Sequence, residues 1–335
     1  MPPNPSLHDR LARIRKKLRR GRWRGLTCFG SEKHKFRLAR PATIDAVEAF
    51  ERDHGAKLPE DYRAFLTELG AHGAGPYYGI LPLEQWDTAY LYGAASGALS
   101  RPFRLRADEP RPQGEWAWAK ALGLEVESAF EGIVTIVDQG CGHYGVLVVT
   151  GPERGRIAYV DSDGNPPYFV EHPDFLSWYE RWLDELLWGY RIFWFGCGMP
   201  GTEQDFLTAL GDTGRPAERR AAAARAMARL PKASEASIQA LLRCLDDPNP
   251  GVRESAVGSL AEHARERSAG ALCRALDDPD REVQMAALRA VSALKGQAWH
   301  AGARRMLSAN DPQLSLKAID ALAQAKALSD AELIR

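Results

Sequence analysis

Leu241-Leu-Arg-Cys-Leu-Asp-Asp-Pro-Asn249 returns 31 residues later as Leu272-Cys-Arg-Ala-Leu-Asp-Asp-Pro-Asp280, and a weaker copy, Met306 to Gln313, follows another 33 residues on. A fixed period of this length is the signature of a stacked repeat architecture. In each copy a short helix ends in an acidic, Pro-containing turn and a second helix begins. Within the second helix of the middle copy, Val283, Ala287, Ala290, Val291 and Leu294 stand at i, i+4, i+7, i+8 and i+11, which is one apolar stripe. Arg281, Glu282 and Arg289 occupy its polar side. Asn249 is a good N-cap, and Pro250 fits the first helical position, where its missing N–H costs nothing. Asp280 holds the same cap position one repeat later. An Ala-rich helix from Ala217 to Leu230, preceded by Pro216, reads as the first and degenerate repeat.

This pattern resembles HEAT-like repeats of the short kind, over Thr202 to about Ile334. The resemblance implies helix pairs that stack because none buries its apolar stripe alone, with concave surfaces that bind other macromolecules. The plainer alternative is a helical extension that only shields the preceding domain.

Working back from the repeats, Thr43 is an N-cap for a helix running through Ile44, Val47, Phe50 and Glu51 to His54, closed by Gly55. Then comes Leu58-Pro-Glu-Asp-Tyr-Arg-Ala-Phe-Leu66, with Pro59 at the start of a second helix and Tyr62, Phe65, Leu66 and Leu69 along one face. Ile133 to Val137 and Tyr144 to Val149 are β-rich runs flanking Gly140-Cys-Gly142, and Ile157 to Val160 is another strand before the turn Asp161 to Asn165. Phe175, Trp178, Trp182 and Leu186 fall at helical spacing. The Leu-Pro helix entry, the small-residue stretch Gly70 to Gly75, the strand meander and the closing helix together resemble the SUKH superfamily, which includes the fungal Smi/Knr cell-wall regulators and many bacterial immunity proteins. The likeness covers roughly residues 41 to 190, although Leu91 to Glu115 carries no feature of the family. The expected architecture is therefore α+β: a basic arm over residues 1–40, a SUKH-like domain with an antiparallel-rich sheet and flanking helices over 41–200, and an all-α HEAT-like solenoid over 201–335.

Charge follows the same division. Overall it is zero, but residues 1–40 hold 13 basic against 2 acidic side chains, residues 41–200 hold 12 against 24, and residues 201–335 hold 19 against 18. Five scattered cysteines, never in a CxxC pair, indicate neither a disulfide framework nor a zinc site and suit a reducing cytoplasm. The richest apolar stretch, Leu186 to Met199, is interrupted by Gly189 and Arg191 and is too short to span a bilayer.

Several constellations invite chemistry and are better read plainly. Asp161-Ser-Asp163-Gly-Asn165 starts like a calcium loop, but the sixth and twelfth positions would be Pro166 and His172 instead of Gly and Glu, which favours a hairpin turn. Cys141 and His143 lie two apart, as strand residues sharing a face would, but lack an orienting group and an oxyanion pocket; Cys141 reads as a strand-end residue. His34, His54, His72 and His172 lack metal-ligand spacing. Trp116 and Trp118 are expected on one face of a strand, whereas Trp178 and Trp182 belong to the apolar face of a helix. In the arm, Leu7, Leu11, Ile14 and Leu18 share a face, surrounded by Arg13, Arg15, Lys16, Lys17, Arg19 and Arg20. Such a helix binds nucleic acid or an anionic surface, or packs onto its own acidic domain; the opposite charge of the body favours packing.

No catalytic residue, cofactor or metal is expected. For bacterial members the resemblance implies immunity, in which a cytoplasmic protein binds and neutralises a polymorphic toxin. The partner would be a basic toxin domain covered by the acidic body, with Trp86, Trp116, Asp138, Asp161 and Asp163 as contact residues. A regulatory adaptor or scaffold is the first alternative, and a nucleic-acid-associated protein using the basic arm is the second.

Overall fold

The closing helix predicted around Trp178 organises the first half of the molecule, because its aromatic stripe needs a sheet to cover it. The computed structural model describes residues 5–90, 93–212, 214–308 and 311–328. The chain divides into two compact units, Met1–Cys197 and Gly198–Arg335.

In the first unit the helices α1 (Leu7–Trp23), α2 (Ser31–His34), α3 (Ile44–His54) and α4 (Glu60–Ala64) precede α5 (Ala117–Ala121). The strands β1 (Ile133–Gly140), β2 (His143–Val148), β3 (Ile157–Asp161) and β4 (Tyr168–Phe169) follow, and α6 (Phe175–Trp188) closes the unit. The strands form one antiparallel meander in the order β1-β2-β3-β4. Both faces are covered. On one, Val134, Leu147, Ile157 and Tyr159 meet Phe175, Trp178, Tyr179 and Trp182 of α6 together with Tyr62 and Phe65. On the other, Ile133, Val146, Val148, Ala158 and Val160 meet Ala98, Phe103, Leu105, Trp118 and Phe130. The stretch without family features is thus the lid of the second face; Leu91 lies outside the described residues.

Two large polar side chains of this core are paired, as low-dielectric surroundings favour. Trp178 Nε1 donates to Tyr159 Oη at 3.0 Å, and Tyr179 Oη donates to the Ala74 carbonyl at 2.6 Å. Burial holds both tyrosine hydroxyls well above their ordinary pKa. The free edge of β1 is capped by the preceding chain: Leu81 N donates to the Ile136 carbonyl, and Thr135 N donates to the Trp86 carbonyl. The helix entered at Pro59 is shorter than its apolar face suggests. After Ala64 it widens into a π turn, Phe65–Leu69, closed by Gly70 N donating to the Phe65 carbonyl.

α1 is docked, as its charge suggested. Leu11, Ile14 and Leu18 are buried in the α6-side core. Arg10 grips Asp174, the N-cap of α6, with two hydrogen bonds of 2.9 and 2.6 Å. Arg13 and Lys17 both reach Glu180, and Lys17 also reaches Asp184. Burial works to raise the pKa of Asp174 and Glu180, but these cations outweigh it and hold both carboxyls below their ordinary values.

The second unit is a helical array: α7 (Glu203–Gly211), α8 (Ala217–Met227), α9 (Glu235–Cys244), α10 (Pro250–His263), α11 (Ala269–Arg274), α12 (Arg281–Val291), α13 (His300–Met306) and α14 (Pro312–Gln324). Successive helices pair, and α8, α10, α12 and α14 stack in turn. The Ala-rich segment is therefore the second helix of the first pair, with α7 as its partner. The array cannot be followed to Ile334, since residues 329–335 lie outside the described residues. The quoted Asp-Pro turns explain the register. Asn249, Asp280 and Asp311 each accept two backbone N–H bonds at the start of α10, α12 and α14. An aspartate of each turn also receives an arginine from the preceding repeat: Arg220 to Asp247, Arg253 to Asp278 and Arg281 to Asp311.

Candidate protein-interaction site

The β1–β2 and β3–β4 turns lie against each other at one end of the sheet. Cys141 and Gly142 form the first turn, with φ of 51° and 75°, the left-handed pair that a two-residue type I′ hairpin requires. Cys141 is thus an exposed turn residue instead of a strand end, and it does not share a strand face with His143, the first residue of β2. Ser162 of the second turn donates its backbone N–H to the Gly142 carbonyl at 2.9 Å.

The three carboxylates expected to contact a partner converge here. Asp138 Oδ1 accepts the Gly140 N–H at 2.7 Å, and Asp161 accepts from the backbone and side-chain nitrogens of Asn165 at 3.0 and 3.1 Å. Both therefore shape the turns in which they sit. Asp163 is exposed at the tip of the second. Across the sheet Asp138 faces Tyr144, and Tyr144 faces Val160, so this row shares the lid-covered face. Burial, with the Asp138 charge added, raises the pKa of Tyr144.

Trp116 joins this cluster, but not from a strand. The period-two spacing of Trp116 and Trp118 suggested extended chain; instead Trp116 caps the short α5 with φ of 57°. The left-handed region is costly for a bulky side chain, and such residues persist where surrounding contacts over-determine them. Here the Trp116 N–H and the Trp118 indole N–H both donate to the Gly164 carbonyl, at 2.8 and 3.1 Å. Gly164 has φ of 74°, and a Cβ on it would lie 2.6 Å from Trp116 Nε1, so only glycine fits beneath the indole. Trp118 is buried against Phe130, while Trp116 stays half-exposed beside Asp163 and the exposed Glu115. Glu115 was not among the expected contacts; its signal in the sequence is only its adjacency to Trp116.

Trp86 lies elsewhere. It is half-buried on the covered edge of β1, with ring contacts to Phe50, His54 and Tyr90, which is a packing role. Among the described residues no group of three or more His, Cys, Asp or Glu side chains is placed to hold a metal ion. No described helix is long and apolar enough to cross a membrane.

An antiparallel meander with the α6 stripe on one face, entered by the Leu-Pro helix, is the arrangement the sequence resemblance implied, and residues 41–181 match the model of the SMI1 / KNR4 family (SUKH-1). Residues 41–181 are a SUKH-1 domain. Residues 203–292 match the model for HEAT repeats and span the first three helix pairs. No curated protein matches the chain. The SUKH-1 domain and the HEAT repeats make the chain a protein-interaction module.

Proposed function

We propose that this chain is a non-catalytic immunity protein that neutralises a toxin by direct binding, with the turn end of the SUKH-1 domain as the contact surface. The observation that carries this reading is the half-exposed Trp116, held over Gly164, with the exposed Glu115 and Asp163 as the chain neighbours of these two residues and with Asp161 and Asp138 in the same pair of turns. A partly buried aromatic surrounded by like charge is the anatomy of a binding hot spot with a steering rim. The docked arm's 13 basic side chains offset most of the body's excess acid, so the grouping of Asp138, Asp161, Asp163 and Glu115 at this end is what selects a basic partner surface. Neutralisation would be by occlusion, and no bond is made or broken by this chain.

The test is a binding measurement against the product of the gene adjacent to this chain's, which the reading expects to be a basic toxin. Association should slow as salt rises, because exposed charges steer encounter over about the Debye length, ~10 Å at 0.1 M salt. Asp163→Lys should reduce the on-rate, and Trp116→Ala should raise the off-rate by roughly tenfold or more, as loss of a hot-spot anchor does. Tight binding indifferent to both changes would remove the reading.

A further inference from the structure

The docked arm leaves a second surface, of opposite charge. Of its cations, Arg10, Arg13 and Lys17 are held by Asp174, Glu180 and Asp184. Lys16, Arg19, Arg20 and Arg22 are exposed and have no carboxylate partner among the described residues. Between α1 and the end of α6 runs a groove of about 340 Å³ lined by Arg13, Lys16, Lys17 and Arg20 on one side and by Leu187, Trp188 and Asp184, the last paired with Lys17, on the other. Trp188 is 43% exposed and braced by Tyr190, and Trp23 stands 85% exposed at the end of the same basic helix.

We infer that this groove binds single-stranded nucleic acid, with phosphates on Lys16 and Arg20 and a base against Trp188. Basic side chains interleaved with exposed indoles are what a single strand needs: charge for the backbone and an aromatic face for unstacked bases. Arginine forks also match phosphate geometry. A bilayer is the poorer occupant, because a basic amphipathic helix inserts through its apolar face, and here Leu11, Ile14 and Leu18 are already buried in the domain core. A duplex keeps its bases stacked inside and offers the indoles nothing to stack on. An acidic polypeptide would satisfy the cations but leave Trp188 without a use. This surface is distinct from the Trp116 rim, and either assignment stands without the other.

The experiment is fluorescence anisotropy of the full chain with a labelled oligothymidine at a series of salt concentrations. Binding should weaken with salt at a log–log slope of roughly −1.4, as expected for two neutralised phosphates on a single strand. Lys16→Glu with Arg20→Glu should lose at least about tenfold in affinity, while Lys295→Glu with Arg104→Glu, an equal charge change at exposed positions elsewhere, should not. Trp188→Ala should lose about 5- to 100-fold, the stacking contribution of one base, and Trp188→Phe should restore most of it. Absence of oligonucleotide binding at low salt overturns the assignment, as does binding that survives Lys16→Glu with Arg20→Glu. Equal binding of the matching duplex, or of phosphatidylserine vesicles or poly-glutamate in place of the oligonucleotide, overturns it too and reassigns the surface.

Discussion

Two ion pairs in the repeats have similar chemistry and different surroundings, so they separate burial from charge. Arg253 donates through Nε and Nη2 to Asp278, both at 2.8 Å, and through Nη1 to the Asp247 carbonyl at 2.9 Å; the two side chains are only 12% and 10% exposed. Arg267 donates through Nη2 to both oxygens of Glu235 at 3.0 and 2.8 Å, but these side chains are 60% and 59% exposed. Removing one partner of a buried pair strands a desolvated charge, at about 3–5 kcal/mol; the remaining solvent contact of Asp278 lowers the expectation for Arg253→Ala to about 2–4 kcal/mol. Arg267→Ala should cost less than about 1 kcal/mol, because its glutamate returns to water. Urea unfolding of each variant, followed by far-ultraviolet circular dichroism, gives both numbers. The pH dependence has a fixed sign. Burial raises the Asp278 pKa, but Arg253 outweighs it and the net shift is downward. The contribution is therefore present above the ordinary aspartate value and is lost as pH falls through the lowered one. Equal losses for the two variants would refute the claim that the Arg–Asp pairs between repeats are set by desolvation.

Other perturbations report on the SUKH-1 domain. His172 is buried, and burial, with the Arg181 charge, lowers its pKa from 6.5 to about 4. The folded domain thus holds it neutral: its contribution is complete above pH ~6.5 and is lost as pH falls toward ~4, by roughly 3 kcal/mol in total. Replacing it in His172→Gln should flatten the melting temperature across that window. Gly164→Ala forces a side chain into a left-handed position beneath Trp116; the backbone alone should cost roughly 1–2 kcal/mol, and a displaced indole should shift tryptophan emission. Trp178→Ala should cost about 3–5 kcal/mol by cavity formation, with the Tyr159 hydroxyl losing its donor, as measured by denaturant midpoint.

The parts that were legible in the sequence are those in which local chemistry and tertiary packing ask for the same residues. Asn249 and Asp280 mark helix starts by capping alone, and the stripe at Val283, Ala287 and Ala290 needs only its own period to be recognised. α6 is the same case, since Trp178 and Trp182 pack where their spacing points. The turn at Asp161 to Asn165 followed from its glycine and its short polar side chains. Trp116 was misread because the decisive contact comes from 48 residues away: period two is the only local signal, while the Gly164 carbonyl, which accepts from both Trp116 and Trp118, fixes a helical turn there. The arm is an intermediate case. Its docking followed from opposite charge, but no sequence rule distributes its cations, so that Arg13 and Lys17 are neutralised and Lys16 and Arg20 are left facing solvent.

The central claim is that the turn end around Trp116 captures a basic toxin. The most direct measurement is survival of cells that express the product of the adjacent gene, expected to be a basic toxin, together with this chain or with Trp116→Ala plus Asp163→Lys, whose fold is first checked by thermal melting. The account predicts protection by the native chain, loss of protection in the variant, and unchanged protection by Glu266→Lys on the repeats. Failure of the native chain to protect, or full protection by the Trp116 and Asp163 variant, would contradict it.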